Sequence, residues 1–348
     1  MNIFFHDIKL QEIVAHQIGN KAHGEGIHFS QNTLQLAPEV QSLVLAYFLD
    51  PFKDHLPLFN FKSHESNPVF QIAKKIFEDS NHLFKGSTEL LRHQYDRALH
   101  PKIKRGEVYL NYFRNVKFED QYIDAIGIFK SERKETFLKV FETPTQDVGL
   151  EKQEGINIKK LDKGCLIYNI AQDDGYRVQI IDKTSPKSEV AKFWQEDFLD
   201  LDQLEDDFFH TNNYLELCKS FCNEVLSKDD ETHKNEELMV MSKSLDYFCE
   251  SPNFSQEKFE EDVFEKPGII EDFQEFKEKF EEKNEVKIKP SFRIHKEQAL
   301  DTRNKFRSII KLDKNFHIYI HGDQDYIERG FDANKKKNYY KVFFDHES

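Results

Sequence analysis

Apolar residues recur along this chain with two periods, and the changes from one to the other mark its parts. Residues 8–19 (KLQEIVAHQIGN) place Ile8, Leu10, Ile13 and Val14 in a strand-like stretch. Gly19-Asn20 and Gly24-Glu25-Gly26 signal turns, with a second short strand predicted within 27–36. Pro38 suits a first helical position, and Val40, Leu43, Val44, Tyr47 and Phe48 form a helical stripe ending before Pro51. Residues 68–98 predict two helices split near Asn81 or Gly86, from the stripes Phe70/Ile72/Ile76/Phe77 and Leu90/Leu91/Tyr95/Leu99.

From Gly106 the period drops to two. Val108, Leu110 and Tyr112 alternate with polar neighbours, and strands are predicted at 122–129 and 136–141. Residues 166–170 and 176–181 predict a hairpin turning at Asp173-Asp174-Gly175. Such a meander behind several helices implies an α+β domain with helices over one sheet face. Residues 188–283 read as helical throughout, with stripes Val190/Phe193/Trp194/Phe198, Leu215/Cys218/Phe221/Cys222/Val225 and Phe273/Phe276/Phe280. Their narrow stripes and wide acidic faces suggest small helices lying over a larger body. Strands return at 306–312, 316–321, 326–331 and 339–344. The expected organisation is therefore α+β. An antiparallel sheet domain with N-terminal helices spans 1–187, an acidic helical segment 188–284, and a mildly basic C-terminal antiparallel β segment 285–348.

Composition sharpens this reading. Of 348 residues, 33 are Phe, and so many aromatics argue for packed cores rather than disorder. No apolar run is long enough for a membrane helix. The N-terminus MNIFFHD has no basic n-region, so secretion is not expected. Cys165, Cys218, Cys222 and Cys249 lack the paired spacing of a zinc site, and a reduced, cytoplasmic setting with cysteines as core residues is expected. The net charge of −14 argues against general affinity for nucleic acid, but its distribution changes the picture. Residues 1–194 hold 26 acidic and 26 basic side chains; 195–284 hold 27 and 9, a net of −18; 285–348 hold 10 and 14, a net of +4.

Catalytic motifs are missing: there is no P-loop, GxGxxG, HExxH or GxSxG. His23-Gly24-Glu25-Gly26 reads as a turn. His317, Tyr319 and His321 share a strand face near Asp323, but the two histidines lie too far apart on a flat strand for one ion. Asp323-Gln324-Asp325 lacks the remaining ligands of a calcium loop. No catalytic residue, cofactor or metal is expected, and no enzyme. Basic residues offer more. Arg303, Lys305 and Arg307 alternate where the terminal strands begin, Lys311 and Lys314 flank the next turn, and Lys335, Lys336, Lys337 and Lys341 lie beside Tyr339 and Tyr340. A second cluster, Lys102, Lys104 and Arg105, follows Arg97 and His100 at the helix-to-strand junction. Lysine and arginine beside aromatics can track a phosphate backbone, though a lysine-rich turn also serves solubility or blunts a strand edge.

Several segments together resemble the nucleoid-associated NdpA (YejK-like) family of bacteria. They are GEVYLNYFRNVKFEDQYIDAIGIFKSE followed by GINIKKLDKGCLIYN, VAKFWQEDFLDL leading into NNYLELCKSFCNEVL, and FRSIIKLDKNFHIYIHGDQDYIERGFD with NYYKVFFD. Their order covers nearly the whole chain. The resemblance implies nucleoid association and binding of double-stranded DNA, without a catalytic centre. It supplies no residue-level motif, so the candidate DNA contacts rest on charge. Two readings follow: direct, weakly sequence-dependent DNA binding, or an acidic interaction module that reaches the nucleoid through a basic protein. Open strand edges in the terminal block make a homodimer a further expectation.

Overall fold

Runs such as AIGIF and CLIY have no polar side because both faces of their sheet are covered. The structure, a computed structural model, describes residues 2–183, 193–226, 230–264, 266–305, 308–312, 316–320, 327–332, 335–344 and 346. Two compact units emerge, Met1–Leu204 and Glu205–Ser348, and the architecture is α+β as expected.

The first unit is built on strands β1 (Ile3–Phe4), β2 (Lys9–Ile18), β3 (Ile27–His28), β4 (Phe59–Phe61), β5 (Gly106–Phe118) and β6 (Gln121–Ser131). Strands β7 (Glu135–Glu142) and β8 (Val148–Gly155) follow, then β9 (Lys163–Tyr168), β10 (Arg177–Asp182) and β11 (Leu201–Gln203). Nine of them form one antiparallel sheet in the order β11-β4-β10-β9-β6-β5-β2-β3, with β1 on β5. The predicted turn at 173–175 is present, with Gly175 at φ +81°. Pairing only with each other, β7 and β8 stand outside the sheet. The alternation signal identified β7 and missed β8, where one face holds Gly149, Glu151 and Gln153 and the other has only Val148 and Leu150 before Lys152.

Alternate residues of the central strands feed two cores. Ile126, Ile128, Cys165 and Ile167 face helices α2 (Pro68–Glu78) and α3 (Leu83–Arg97). Ala125, Phe129, Leu166 and Tyr168 face helix α1 (Pro38–Leu49) and the 3₁₀ turn Asp50–Phe52. The expectation of helices over one face is therefore corrected: both are covered. The stripe of α1 also differs from expectation. Val40 and Leu43 stay exposed while Tyr47, Phe48 and Leu49 are buried, because only the C-terminal end of α1 reaches the sheet, where Phe48 stacks on Phe129 at 4.2 Å. Asn67 caps α2, accepting from the amides of Val69 and Phe70, and donates to the Leu199 carbonyl at 2.9 Å.

That last bond marks another correction. Residues 193–203 were expected to open the acidic helices, but the π-helical turn Phe193–Leu199 and β11 belong to the first unit. Trp194 is fully buried there, its Nε1 donating to the Gly164 carbonyl.

In the second unit, α4 (Asp207–Glu224), α5 (Asp230–Glu250), α6 (Gln256–Val263), α7 (Pro267–Asn284) and α8 (Lys296–Lys305) are joined by the paired strands β12 (Asn253–Ser255) and β13 (Ser291–Arg293). Two hairpins follow, β14 (Ser308–Leu312) with β15 (Phe316–Ile320), and β16 (Ile327–Asp332) with β17 (Lys337–Val342). The helices enclose a core of their own. Tyr214, Phe221, Phe248, Phe254, Phe259 and Phe273 fill it, with Phe248 stacked on Phe254 and Phe254 on Phe292. Cys165, Cys218 and Cys222 are buried and all four cysteines are unbridged.

Candidate nucleic-acid interface

The junction between α3 and β5 turns on alternation. Ala98 and Ile103 are buried, so Arg97, Lys102, Lys104 and Arg105 point outward and are exposed. None of these four cations has an ion-pair partner among the described residues. Local bonds shape the turn: Leu99 N donates to the Arg97 carbonyl, Ile103 N to that of His100, and Lys102 N to His100 Nδ1 at 3.1 Å.

Two buried groups hold the loop from beneath. Asn20 Nδ2 donates to the carbonyls of Pro101 at 2.8 Å and Ile103 at 2.5 Å. Lys130 Nζ donates to the Lys104 carbonyl and pairs with Glu132 at 2.9 Å, both side chains being almost fully buried. Burial holds the Lys130 ammonium below the ordinary lysine range, with Glu132 opposing that shift. Nearby, Asp162 Oδ2 accepts the amides of Glu132 and Arg133, and Lys163 pairs with Asp182. A buried charge tolerates such a site only when paired and hydrogen-bonded, so this network fixes the loop's backbone through three anchor carbonyls, those of Pro101, Ile103 and Lys104. Sequence reading found the cations and missed Asn20, Lys130 and Glu132. The available signal was a lysine inside the apolar run AIGIFK.

Arg105 also borders a cleft of about 640 Å³ shared with Glu25, His28, Glu107, Lys134 and Glu154. Lys134 pairs with Glu107 at 2.8 Å, and Glu25 accepts the Asn20 amide. No group of three His, Cys, Asp or Glu able to hold a metal occurs among the described residues.

The second unit carries the other candidates. Lys335 and Lys336 form the turn of the β16–β17 hairpin, with Lys336 at φ +53°. The Asp332 side chain accepts the Lys335 amide at 3.0 Å. Lys335, Lys336 and Lys337 are exposed and without ion-pair partners among the described residues. Lys341 lies opposite Glu328 in register, its ammonium 4.4 Å from the Phe343 ring centre. Lys311 lies on β14 opposite His317. Arg307, Lys314, His321 and Asp323 fall outside the described residues.

The expected cationic strand face at Arg303 and Lys305 is corrected. Both belong to helix α8, not to a strand, and the buried Ala299 anchors that helix in the second core. Arg303 pairs with Asp246 at 3.4 Å.

These features define an α+β protein with a sheet covered on both faces and two separate exposed groups of cations. The chain belongs to the family of the nucleoid-associated protein YejK, whose model matches residues 14–341. No curated relative matches the chain at a significant level. Among the described residues no helix is long and apolar enough to cross a membrane.

Proposed function

We propose that this protein binds double-stranded DNA of the nucleoid directly and without strong sequence preference, by contacts to phosphates, and that it is not an enzyme. One observation carries the reading: Lys102, Lys104 and Arg105 project, without ion-pair partners among the described residues, from a backbone that buried Asn20 and Lys130 hold in place. Cations free of intramolecular partners lose no ion pair on meeting a phosphate, and a fixed loop loses little conformational entropy. The turn at Lys335, Lys336 and Lys337 is the second contact. Glu107 and Glu154 border the cleft beside Arg105 and oppose the entry of a phosphate strand there, which favours contact across the outer rim of the loop.

The family's association with the nucleoid supports the setting, and the exposed cations at 102, 104 and 105, without ion-pair partners among the described residues, support the chemistry. A second reading draws on residues 195–284, with their net charge of −18, as a surface for a basic protein partner.

Fluorescence anisotropy with a labelled duplex of about 30 base pairs separates the two. The wild type is expected to bind in the micromolar range, and Lys102→Glu/Lys104→Glu/Arg105→Glu to weaken binding by about tenfold or more. Lys335→Glu/Lys336→Glu/Lys337→Glu tests the terminal turn in the same way. Absence of wild-type binding at low salt rejects direct recognition and leaves the acidic segment as the working surface.

A further inference from the structure

The stripe Leu90/Leu91/Tyr95 predicts Leu99 on the same buried face, yet Leu99 is 69% exposed. The backbone turns it out. Helix α3 ends at Arg97, and Ala98 takes φ −78° and ψ 66°, with the Leu99 amide donating to the Arg97 carbonyl at 2.9 Å. That is an inverse γ-turn, which keeps Ala98 in the core while Leu99 leaves it. Ile103 returns to the same core, so residues 99–102 project between two buried anchors. The bonds from Asn20 to the Pro101 and Ile103 carbonyls fix the far side of this loop. A lone exposed leucine is ordinary on a protein surface. This one is held on a fixed backbone beside exposed Pro101, and residues 97–106 hold four cations and no carboxylate. The carboxylates on either flank are both paired, Asp96 with Lys21 at 2.7 Å and Glu107 with Lys134 at 2.8 Å.

We propose that Leu99 is a wedge that enters the minor groove of double-stranded DNA, parts two stacked base pairs and bends the duplex. This rests on the direct DNA binding proposed above and adds what that binding does to the DNA. Apolar side chains carried among lysines and arginines open base steps in this way, kinking the duplex by about 20–90°.

Shape selects the groove. A major groove about 12 Å wide takes a helix or a β-ribbon, whereas a single projecting chain suits the minor groove of roughly 6 Å. Arg97, Lys102, Lys104 and Arg105 are exposed and without ion-pair partners among the described residues, so they can hold the phosphates bordering that groove while Leu99 meets the bases. The anchored loop needs little ordering before it enters. Residues 97–106 contain no Asn, Gln, Asp or Glu to read base edges. Preference among sequences therefore follows how readily a step opens, which is greatest at pyrimidine–purine steps.

Resonance energy transfer across an end-labelled duplex of about 20 base pairs with a central TA step reads the bend, and anisotropy on the same duplex reads binding. The full-length wild type is expected to bind and to raise the transfer in parallel. Leu99→Ala is expected to remove most of that rise while weakening affinity by only about three- to tenfold. Its salt dependence should match the wild type, because no phosphate contact is lost. Leu99→Phe keeps an apolar wedge and is expected to bend DNA, whereas Leu138→Ala, at a leucine 65% exposed on β7, should change neither readout. Absence of wild-type binding at low salt rejects the proposed function and the wedge together. Binding without a rise in transfer overturns the wedge alone and leaves Leu99 to a protein partner. A rise that survives Leu99→Ala places the bend elsewhere and overturns the proposal as well.

Discussion

His16 shows how a single side chain couples the sheet to a helix. Its Nδ1 accepts the Ser30 amide at 3.0 Å, so Nε2 carries the proton and donates to Ser87 Oγ at 2.8 Å; Ser87 in turn donates to the Phe84 carbonyl. A second proton would set two N–H groups against each other. Burial lowers the affinity of His16 for that proton, and the nearby His28 adds to the effect. Burial also lowers the pKa of His93 and His210, so all three groups act in one direction. Since each folded-state pKa lies below its unfolded value, the unfolded chain binds more protons in acid. Stability is therefore full above pH about 6.5 and declines as the pH falls below it. Urea unfolding at pH 7.5 and 5.5 is expected to show that decline, and His16→Ala to be less stable at pH 7.5 by about 2 kcal/mol with a shallower loss in acid.

At the scale of elements, the crossing of α2 and α3 depends on a residue that propensity alone would disfavour. Gly86 lies inside α3, and a Cβ there would meet Ile76 Cδ1 at 2.9 Å and Ile72 Cγ2 at 3.1 Å. The missing side chain lets the helices approach closely and outweighs the roughly 1 kcal/mol that glycine costs a helix. Gly86→Val is expected to lower stability by about 1–3 kcal/mol through overpacking, read as a lower urea midpoint with an unchanged m-value. The periodicity of 68–98 located both helices, but Gly86 was as plausible a break as Asn81. The answer came from packing: the interruption is the short 3₁₀ turn Ser80–His82, whose preceding Asp79 accepts the Asn81 amide. Likewise Val40 and Leu43 fit the helical period of α1 and yet remain exposed, because periodicity places residues on a helix face without saying how far the sheet extends beneath it.

Across the whole molecule, charge is segregated along the chain, and this governs how DNA binding should respond to salt. With a net charge of −14 and a pI near 5.6, long-range attraction is not available to the protein as a whole. Affinity must come from local release of counterions at exposed cations without ion-pair partners among the described residues. The loop holding Arg97, Lys102, Lys104 and Arg105 supplies four. A plot of log affinity against log salt is expected to have a slope of about −3 to −4 from these contacts, shrinking by about 0.9 for each cation removed. Titrations of the wild type and of Lys104→Ala at several salt concentrations measure it; a slope near zero would show that phosphate contacts do not drive binding.

Periodicity, turn chemistry and charge order are local properties, so the α+β class, most of the helices, the 163–182 hairpin and the separation of acidic from basic segments were legible in the residues themselves. The exposed cations at 102–105 belonged to that readable part, because lysine and arginine in a short turn have nowhere to be buried. What depended on the tertiary structure was every relation between distant segments. Only folding brings Asn20 and Lys130 beneath the 102–105 loop, assigns Trp194 and β11 to the first core, turns Arg303 onto a helix, and leaves β7 and β8 outside the sheet. Each of these is settled by which surfaces close on one another, and a one-dimensional pattern shows that a face is apolar without showing what comes to cover it.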